Sequence, residues 1–218
     1  MSYKAVIFDL DGTLLNTLGD LTDAVNYGLA RAGLPLRTEE EVMSFLGNGI
    51  RRLVECAVPA GTAVEQTDAV FDDFRDRYSR HYLDKTVPYP GMVALCQKLQ
   101  KCGVKTALVT NKTDPVAQEI YKACFRAVMP VAIGEQPRYA KKPAPDMVEE
   151  ALRQLGAEKS EAVYVGDSEV DLATAKNSGL PCILVDWGFR KRSFLETLGN
   201  DPIVSTPEEL YFQLTIDS

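Results

Sequence analysis

The 218-residue chain has no C-x-x-C pair, no excess of basic residues, no apolar run of membrane length and no internal repeat, and each absence removes a class of protein. The five cysteines, Cys56, Cys96, Cys102, Cys124 and Cys182, are odd in number and scattered, which fits reduced thiols in a cytoplasmic protein rather than a disulfide framework. No apolar core follows the charged N-terminal residues Lys4 and Asp9, so a secretory signal is not expected, and no segment has the length of a membrane span. Lysine and arginine number 24 against 31 aspartates and glutamates, giving a formal charge of −7. That balance argues against nucleic acid or an anionic membrane as partner and leaves a small anionic substrate open if cations gather locally. The apolar fraction of 45% is ordinary, and a packed soluble globule is the expectation, as monomer or homodimer.

What is present centres on Ala5-Val6-Ile7-Phe8-Asp9-Leu10-Asp11-Gly12-Thr13, where an apolar run leads into two carboxylates and a glycine. The run predicts a central strand of a parallel sheet, covered on both faces. In open α/β sheets ligands sit beyond the carboxyl ends of the strands, where Asp9 and Asp11 fall. Taken alone, Asp-x-Asp-Gly equally describes a solvated turn, so the rest of the chain has to decide.

After Thr13 the pattern is helical for a long way. Residues 17–32 carry Leu18, Leu21, Val25 and Leu29 at three- and four-residue spacing, and Thr38 with Glu41 has the form of a capping box. A third helix is expected from Gly49, and a fourth over 63–83 with Val70, Phe71, Phe74, Tyr78 and Tyr82 on one stripe. From Pro88 helices and strands alternate: helix 91–102, strand 104–109, a helix after Asp114-Pro115, strand 128–133, helix 146–155, strand 162–165, helix 172–178 and strand 182–185. The fold class is therefore α/β, a doubly wound parallel sheet with an inserted all-helical cap. The expected core is 1–15 with 85–218, and the cap 16–84.

In such a sheet the strand ends share one crevice, so Asp9, Asp11, Thr110, Asn111, Lys142, Asp167 and Asp171 can converge although the chain scatters them. Several carboxylates crowded together repel one another unless a hard, oxygen-preferring divalent cation lies among them, and Mg²⁺ is the natural candidate. A lysine and a threonine-bearing strand end beside it suit a phosphoryl group, and a carboxylate without a Ser, Cys or His rival can act as nucleophile.

With Phe8-Asp9-Leu10-Asp11-Gly12-Thr13, Val109-Thr110-Asn111-Lys112, Lys142-Pro143-Ala144-Pro145-Asp146 and Gly166-Asp167-Ser168-Glu169-Val170-Asp171 in this order, the sequence resembles the haloacid-dehalogenase-like hydrolase superfamily, most of all its phosphoglycolate phosphatase group. The resemblance spans nearly the whole chain. It implies a Rossmann-like core and a Mg²⁺-dependent phosphatase acting on a small phosphorylated metabolite. Asp9 is then the nucleophile; Asp11 protonates the leaving oxygen and later activates water. Mg²⁺ is held by Asp9, Asp167 and the backbone carbonyl of Asp11, with Asp171 behind them. Thr110 and Asn111 bind the phosphate, and Lys142, preferred over Lys141 because Pro143 follows it, neutralises charge at the nucleophile.

Weaker signals lie in the helical insertion. Gly47-Asn48-Gly49-Ile50-Arg51-Arg52 can be a loop that offers Arg51 to a substrate carboxylate, and equally an ordinary interhelical turn. His81, the single histidine, is read as structural, and Arg190-Lys191-Arg192 as a solvated helix start. A receiver-type signalling module also combines acids, Thr and Lys on an α/β sheet, but it carries no large insertion after the first strand. A dehalogenase is disfavoured by Asp11, which supplies the acid an alcohol leaving group needs. A sugar phosphomutase, a pyrophosphatase or a nucleotidase would use the same aspartates and differ in the cap.

Overall fold

The computed structural model describes residues 3–47, 49–199 and 201–215. The chain divides into two compact units, Met1–Leu15 with Pro88–Ser218, and Asn16–Val87.

In chain order the elements are β1 (Ala5–Phe8), β2 (Leu15–Asn16), α1 (Leu18–Arg31), α2 (Glu39–Phe45), α3 (Gly49–Ala57), α4 (Val64–His81), β3 (Val87–Pro88), α5 (Met92–Lys101), β4 (Lys105–Thr113), α6 (Asp114–Cys124), β5 (Val131–Glu135), α7 (Asp146–Leu155), β6 (Ala162–Gly166), α8 (Glu169–Ser178), β7 (Cys182–Val185), α9 (Arg192–Leu195), β8 (Ile203–Val204) and α10 (Pro207–Thr215). The first unit is built on a six-stranded sheet in the order β5-β4-β1-β6-β7-β8, with every pair parallel. It is the α/β architecture the sequence predicts. All four residues of β1 are fully buried, as expected of a strand with neighbours on both edges and helices on both faces. One face of the core packs Ile7, Val109, Ile133 and Tyr164 against Val148, Ala151 and Leu152 of α7.

Two strand expectations shift. The strand expected over 128–133 is β5, which begins at Val131. The amides of Val128 and Met129 bond back to Phe125 O at 2.9 Å, so these two buried residues enter the core from a turn that extends α6. β4 runs on to Thr113 through an irregularity between Val109 and Thr113, longer than the apolar run because its polar end still pairs with β5. The helix expected from 172 starts at Glu169, where acidic Glu169 and Asp171 in the first turn suit the positive helix end.

The second unit is helical, α1 to α4. Thr38 caps α2: its hydroxyl accepts from Glu41 N at 3.2 Å and Glu41 Oε2 accepts from Thr38 N at 2.8 Å. Gly28 lets α1 approach α4, since a Cβ there would come 2.6 Å from Val70 O. Val70, Phe74 and Tyr78 are buried at four-residue spacing, whereas Phe71 and Tyr82 are only half-buried, a narrower stripe than the sequence suggests. Asp20, nearly fully buried, accepts from Lys85 N at 2.9 Å and Thr86 N at 2.8 Å, closing the unit onto its own returning chain. Among the described residues no helix is long and apolar enough to cross a membrane.

Candidate active site

Register places the chemistry. Phe8 of β1 pairs with Leu108 of β4 on one side and Val165 of β6 on the other, and Asp9 N continues the ladder to Val165 O at 2.9 Å. Just past that row stand Asp9 and Asp167, directly after the ends of β1 and β6, and Thr110, in the polar stretch that closes β4. β1 lies where the chain order turns to β4 on one side and β6 on the other, the topological position at which such sheets bind ligands.

Lys142 is brought there by the segment before α7. Its Nζ, almost fully buried, donates to Asp9 Oδ1 at 2.6 Å, to Asp171 Oδ1 at 2.8 Å and to the Tyr164 hydroxyl at 3.1 Å. Three donors meet three acceptors, so the ammonium is satisfied. Burial opposes its charge, but Asp171 and Asp9 more than offset this and hold its pKa well above the ordinary lysine value. Asp171 in turn accepts from the Tyr164 hydroxyl at 3.0 Å and from Ser168 Oγ at 2.6 Å. Lys141, its neighbour, is exposed and pairs with Glu135 at 2.8 Å.

Asn111 is expected as a phosphate ligand, but its amide is engaged with the chain at Lys142: Nδ2 donates to Lys142 O at 3.1 Å and Oδ1 accepts from Lys142 N at 2.8 Å. Its side chain therefore fixes the lysine. Thr110 is buried within β4, just past its apolar run, and its Oγ1 accepts from Lys112 N at 3.1 Å. Lys112 Nζ lies 3.0 Å from Asp11 Oδ1, a nearly buried cation beside the second aspartate.

One oxygen each of Asp9, Asp167 and Asp171 lie within 4.8 Å of one another, and all three residues are buried. Desolvation first, and the Asp171 charge second, push Asp9 up to about 7 against the pull of Lys142. The same two causes, with Asp9 third, push Asp167 well above the carboxylate range. The excess negative charge and the all-oxygen donor set fit a hard divalent cation. Asp171 already serves Lys142, Tyr164 and Ser168, which leaves Asp9 and Asp167 as the side chains suited to hold it.

Arg51 belongs to the helical unit. It pairs with Glu55 at 2.9 Å and Asp68 at 2.6 Å and lies over the Phe71 ring at 5.2 Å. Both ion pairs are partly exposed, and such pairs contribute only about 0.2–1 kcal/mol. Asn48 of the same motif lies outside the described residues. His81 bridges Arg77 at 2.8 Å and Asp84 at 2.7 Å, both within its own unit, a structural arrangement.

Residues 6–185 match the family model of haloacid dehalogenase-like hydrolases. The chain belongs to this family. It is 34% identical over 200 residues to a phosphoglycolate phosphatase of Mesorhizobium japonicum, a match covering 90% of this chain and 88% of that one. It is also 34% identical over 203 residues to a phosphoglycolate phosphatase of Caulobacter vibrioides, covering 91% and 85%. A crystal structure of a candidate phosphoglycolate phosphatase from Lactobacillus delbrueckii superposes with a TM-score of 0.94 at 35% identity over 100% of both chains. This member of the haloacid dehalogenase-like hydrolases is thus an enzyme of the phosphoglycolate phosphatase-like group.

Several residues of the site carry no sequence signal strong enough to be singled out. Tyr164 looks like one more apolar member of β6, and only its hydroxyl in a fully buried strand hints otherwise. Lys112 stands in the Val109-Thr110-Asn111-Lys112 motif, but nothing in the motif points to its pairing with Asp11. The Arg190 guanidinium, expected in solvent, is half-buried and grips Glu169 with two bonds of 2.8 and 2.9 Å.

Proposed function

We propose that this enzyme is a phosphatase that hydrolyses a small phosphate monoester, phosphoglycolate first, through a phosphorylated Asp9. The observation that carries the reading is Asp9 itself: a buried carboxylate at the end of the central strand, 2.6 Å from the ammonium of Lys142 and beside Asp167. The phosphoglycolate phosphatases to which the chain is similar along most of its length support the choice of substrate.

In this reading an oxygen of Asp9 attacks phosphorus, an O–P bond forms to Asp9, and the ester P–O bond breaks. The departing alkoxide takes its proton from Asp11. Asp11, now a base, removes a proton from a water that attacks the same phosphorus, and the bond to Asp9 breaks to release inorganic phosphate. Asp11 starts as the acid and is a carboxylate only after the first transfer, Lys112 orients it, and Lys142 offsets the charge on Asp9 and the phosphoryl oxygens. Thr110 offers a hydroxyl and backbone donor at the adjoining strand end. Asp9, Asp167 and the backbone carbonyl of Asp11 would hold Mg²⁺, which when bound supplies positive charge to the phosphoryl oxygens. We also propose that the helical unit is a cap domain and that its Arg51 is the cation for a substrate carboxylate.

The test is a phosphate-release screen with and without Mg²⁺, in which phosphoglycolate, pyrophosphate, nucleoside monophosphates and hexose phosphates compete. The expected result is Mg²⁺-dependent release, highest kcat/KM for phosphoglycolate, and a hydroxylamine-labile phosphoryl group on the protein. A preference for pyrophosphate, a nucleotide or a hexose phosphate would replace the substrate, and labelling on a residue other than Asp9 would remove the mechanism.

A further inference from the structure

Asp167 stands just past the end of β6, and its carboxylate is fixed from a remote part of the chain. That part is the loop after β7, residues 186–190. Phe189 N donates to Asp167 Oδ2 at 2.6 Å, a short bond from a backbone group that cannot rotate away. Gly188 lies against the same side chain: a Cβ there would come 2.4 Å from Asp167 Oδ2, 2.5 Å from Asp167 Cβ and 2.4 Å from Gly12 O. Gly188 is not among the glycines with positive φ, so glycine is needed here for space and not for conformation. Gly12 closes the box from the other side, a Cβ there falling 2.3 Å from Asp167 Oδ2 and 2.9 Å from the Phe189 ring.

Trp187, the single tryptophan, ties this loop to the first aspartate motif, its Nε1 donating to Thr13 O at 3.1 Å. Arg190 ties the other end to Glu169, two residues beyond Asp167, through its bidentate pair. The loop thus touches the turn after Asp11 and the Asp167–Glu169 segment that leads into α8, two pieces of chain that are remote in sequence.

We propose that Trp187, Gly188 and Phe189 are positioning residues that hold Asp167 in one orientation and set the site's affinity for a divalent cation. The proposal rests on the reading of Asp167 as a ligand for that cation. A carboxylate boxed by backbone on two sides loses no rotamer freedom when the ion arrives, and partners behind a metal ligand commonly change affinity by about 10- to 100-fold.

The experiment measures direct binding of Mn²⁺ alone, by the paramagnetic resonance signal of the free ion, to the full-length protein without substrate. Gly188→Ala, which must displace Asp167, is expected to weaken binding by about 10-fold or more. Trp187→Phe, which keeps an aromatic ring and loses only the N–H donor, is expected to weaken it several-fold. Both are read beside their metal-free melting temperatures, so that loss of affinity is not mistaken for loss of fold. Asp167→Asn is the reference for the metal reading and should bind Mn²⁺ far more weakly than either. Wild-type affinity in Gly188→Ala alongside loss in Asp167→Asn overturns the loop's role and leaves the metal reading intact. Wild-type affinity in Asp167→Asn removes the metal reading and the loop's role with it. If Gly188→Ala does not fold, Trp187→Phe decides on the same terms.

Discussion

Lys142 Nζ lies 2.6 Å from Asp9 Oδ1, a buried ion pair between residues 133 positions apart in the chain. Removing one partner of such a pair leaves the other charge uncompensated, which costs about 3–5 kcal/mol. Lys142→Met should therefore lose stability on this scale in urea unfolding, because Asp9 and Asp171 then face each other without a cation. Adding Asp9→Asn to it should recover part of the loss, and strictly additive effects would deny the coupling.

Asp9→Asn should abolish phosphate release while the protein stays folded. It should also change the pH dependence of stability in a defined direction. Asp9 is pushed up from 3.8 to about 7, so the folded state binds this proton more tightly than the unfolded state does. The cost of its charge accumulates as pH rises between those values and is complete above the upper one. In EDTA, Asp9→Asn should gain in melting temperature relative to the wild type as pH is raised from 5 to 8. A melting-temperature difference, variant minus wild type, that falls over that range would contradict the desolvation of Asp9.

Asp11 carries a different burden, since its carboxylate meets Lys112 and not Lys142. Asp11→Asn is expected to allow at most slow phosphorylation of the enzyme, without release. A rapid-quench experiment with labelled substrate separates the two steps. Multiple turnovers at a near wild-type rate would remove Asp11 from the proton transfers.

Arg51 is held by two partly exposed carboxylates, Glu55 and Asp68, and pairs of this kind contribute little, as its proposed role toward a substrate carboxylate requires. Arg51→Ala should raise KM for phosphoglycolate several-fold more than KM for p-nitrophenyl phosphate. Equal effects on the two substrates would leave Arg51 a structural residue of the helical unit.

The thiols should differ sharply in reactivity. Burial pushes Cys96 up to about 12 and Cys182 well above the ordinary thiol value, whereas Cys102 is exposed at the end of α5. An aromatic disulfide reagent at pH 8 should label Cys102 first and reach Cys96 and Cys182 only on unfolding. Native labelling of Cys96 within minutes would show the α5 packing to be looser than described.

Much of the fold was legible because local rules agree. Asp146–Leu155 and Cys182–Val185 form with the predicted bounds, one marked by helical periodicity and the other by a closed apolar run. β8 and α10 escape such reading, and of α9 only the helix start at Arg190-Lys191-Arg192 is legible. β8 has two residues and owes its form to its pairing with β7, Leu184 to Ile203 and Val185 to Val204, which no local pattern announces. Val128 and Met129 misled for the opposite reason: they are apolar and buried, yet they reach the core from a turn.

The sequence by itself determined the acids, the lysine and their order, because a buried strand ending in Asp9 and a parallel sheet require those motifs to meet at one rim. Tertiary structure alone decided which group each of them touches. It turned the Asn111 amide onto the backbone of Lys142, set Lys112 against Asp11, and gave the side chain of Asp167 to the backbone of Phe189. The physical reason is that a side chain's partner in a buried polar cluster is fixed by distance and donor count among residues from five or more separate segments. Composition and periodicity carry no information about either.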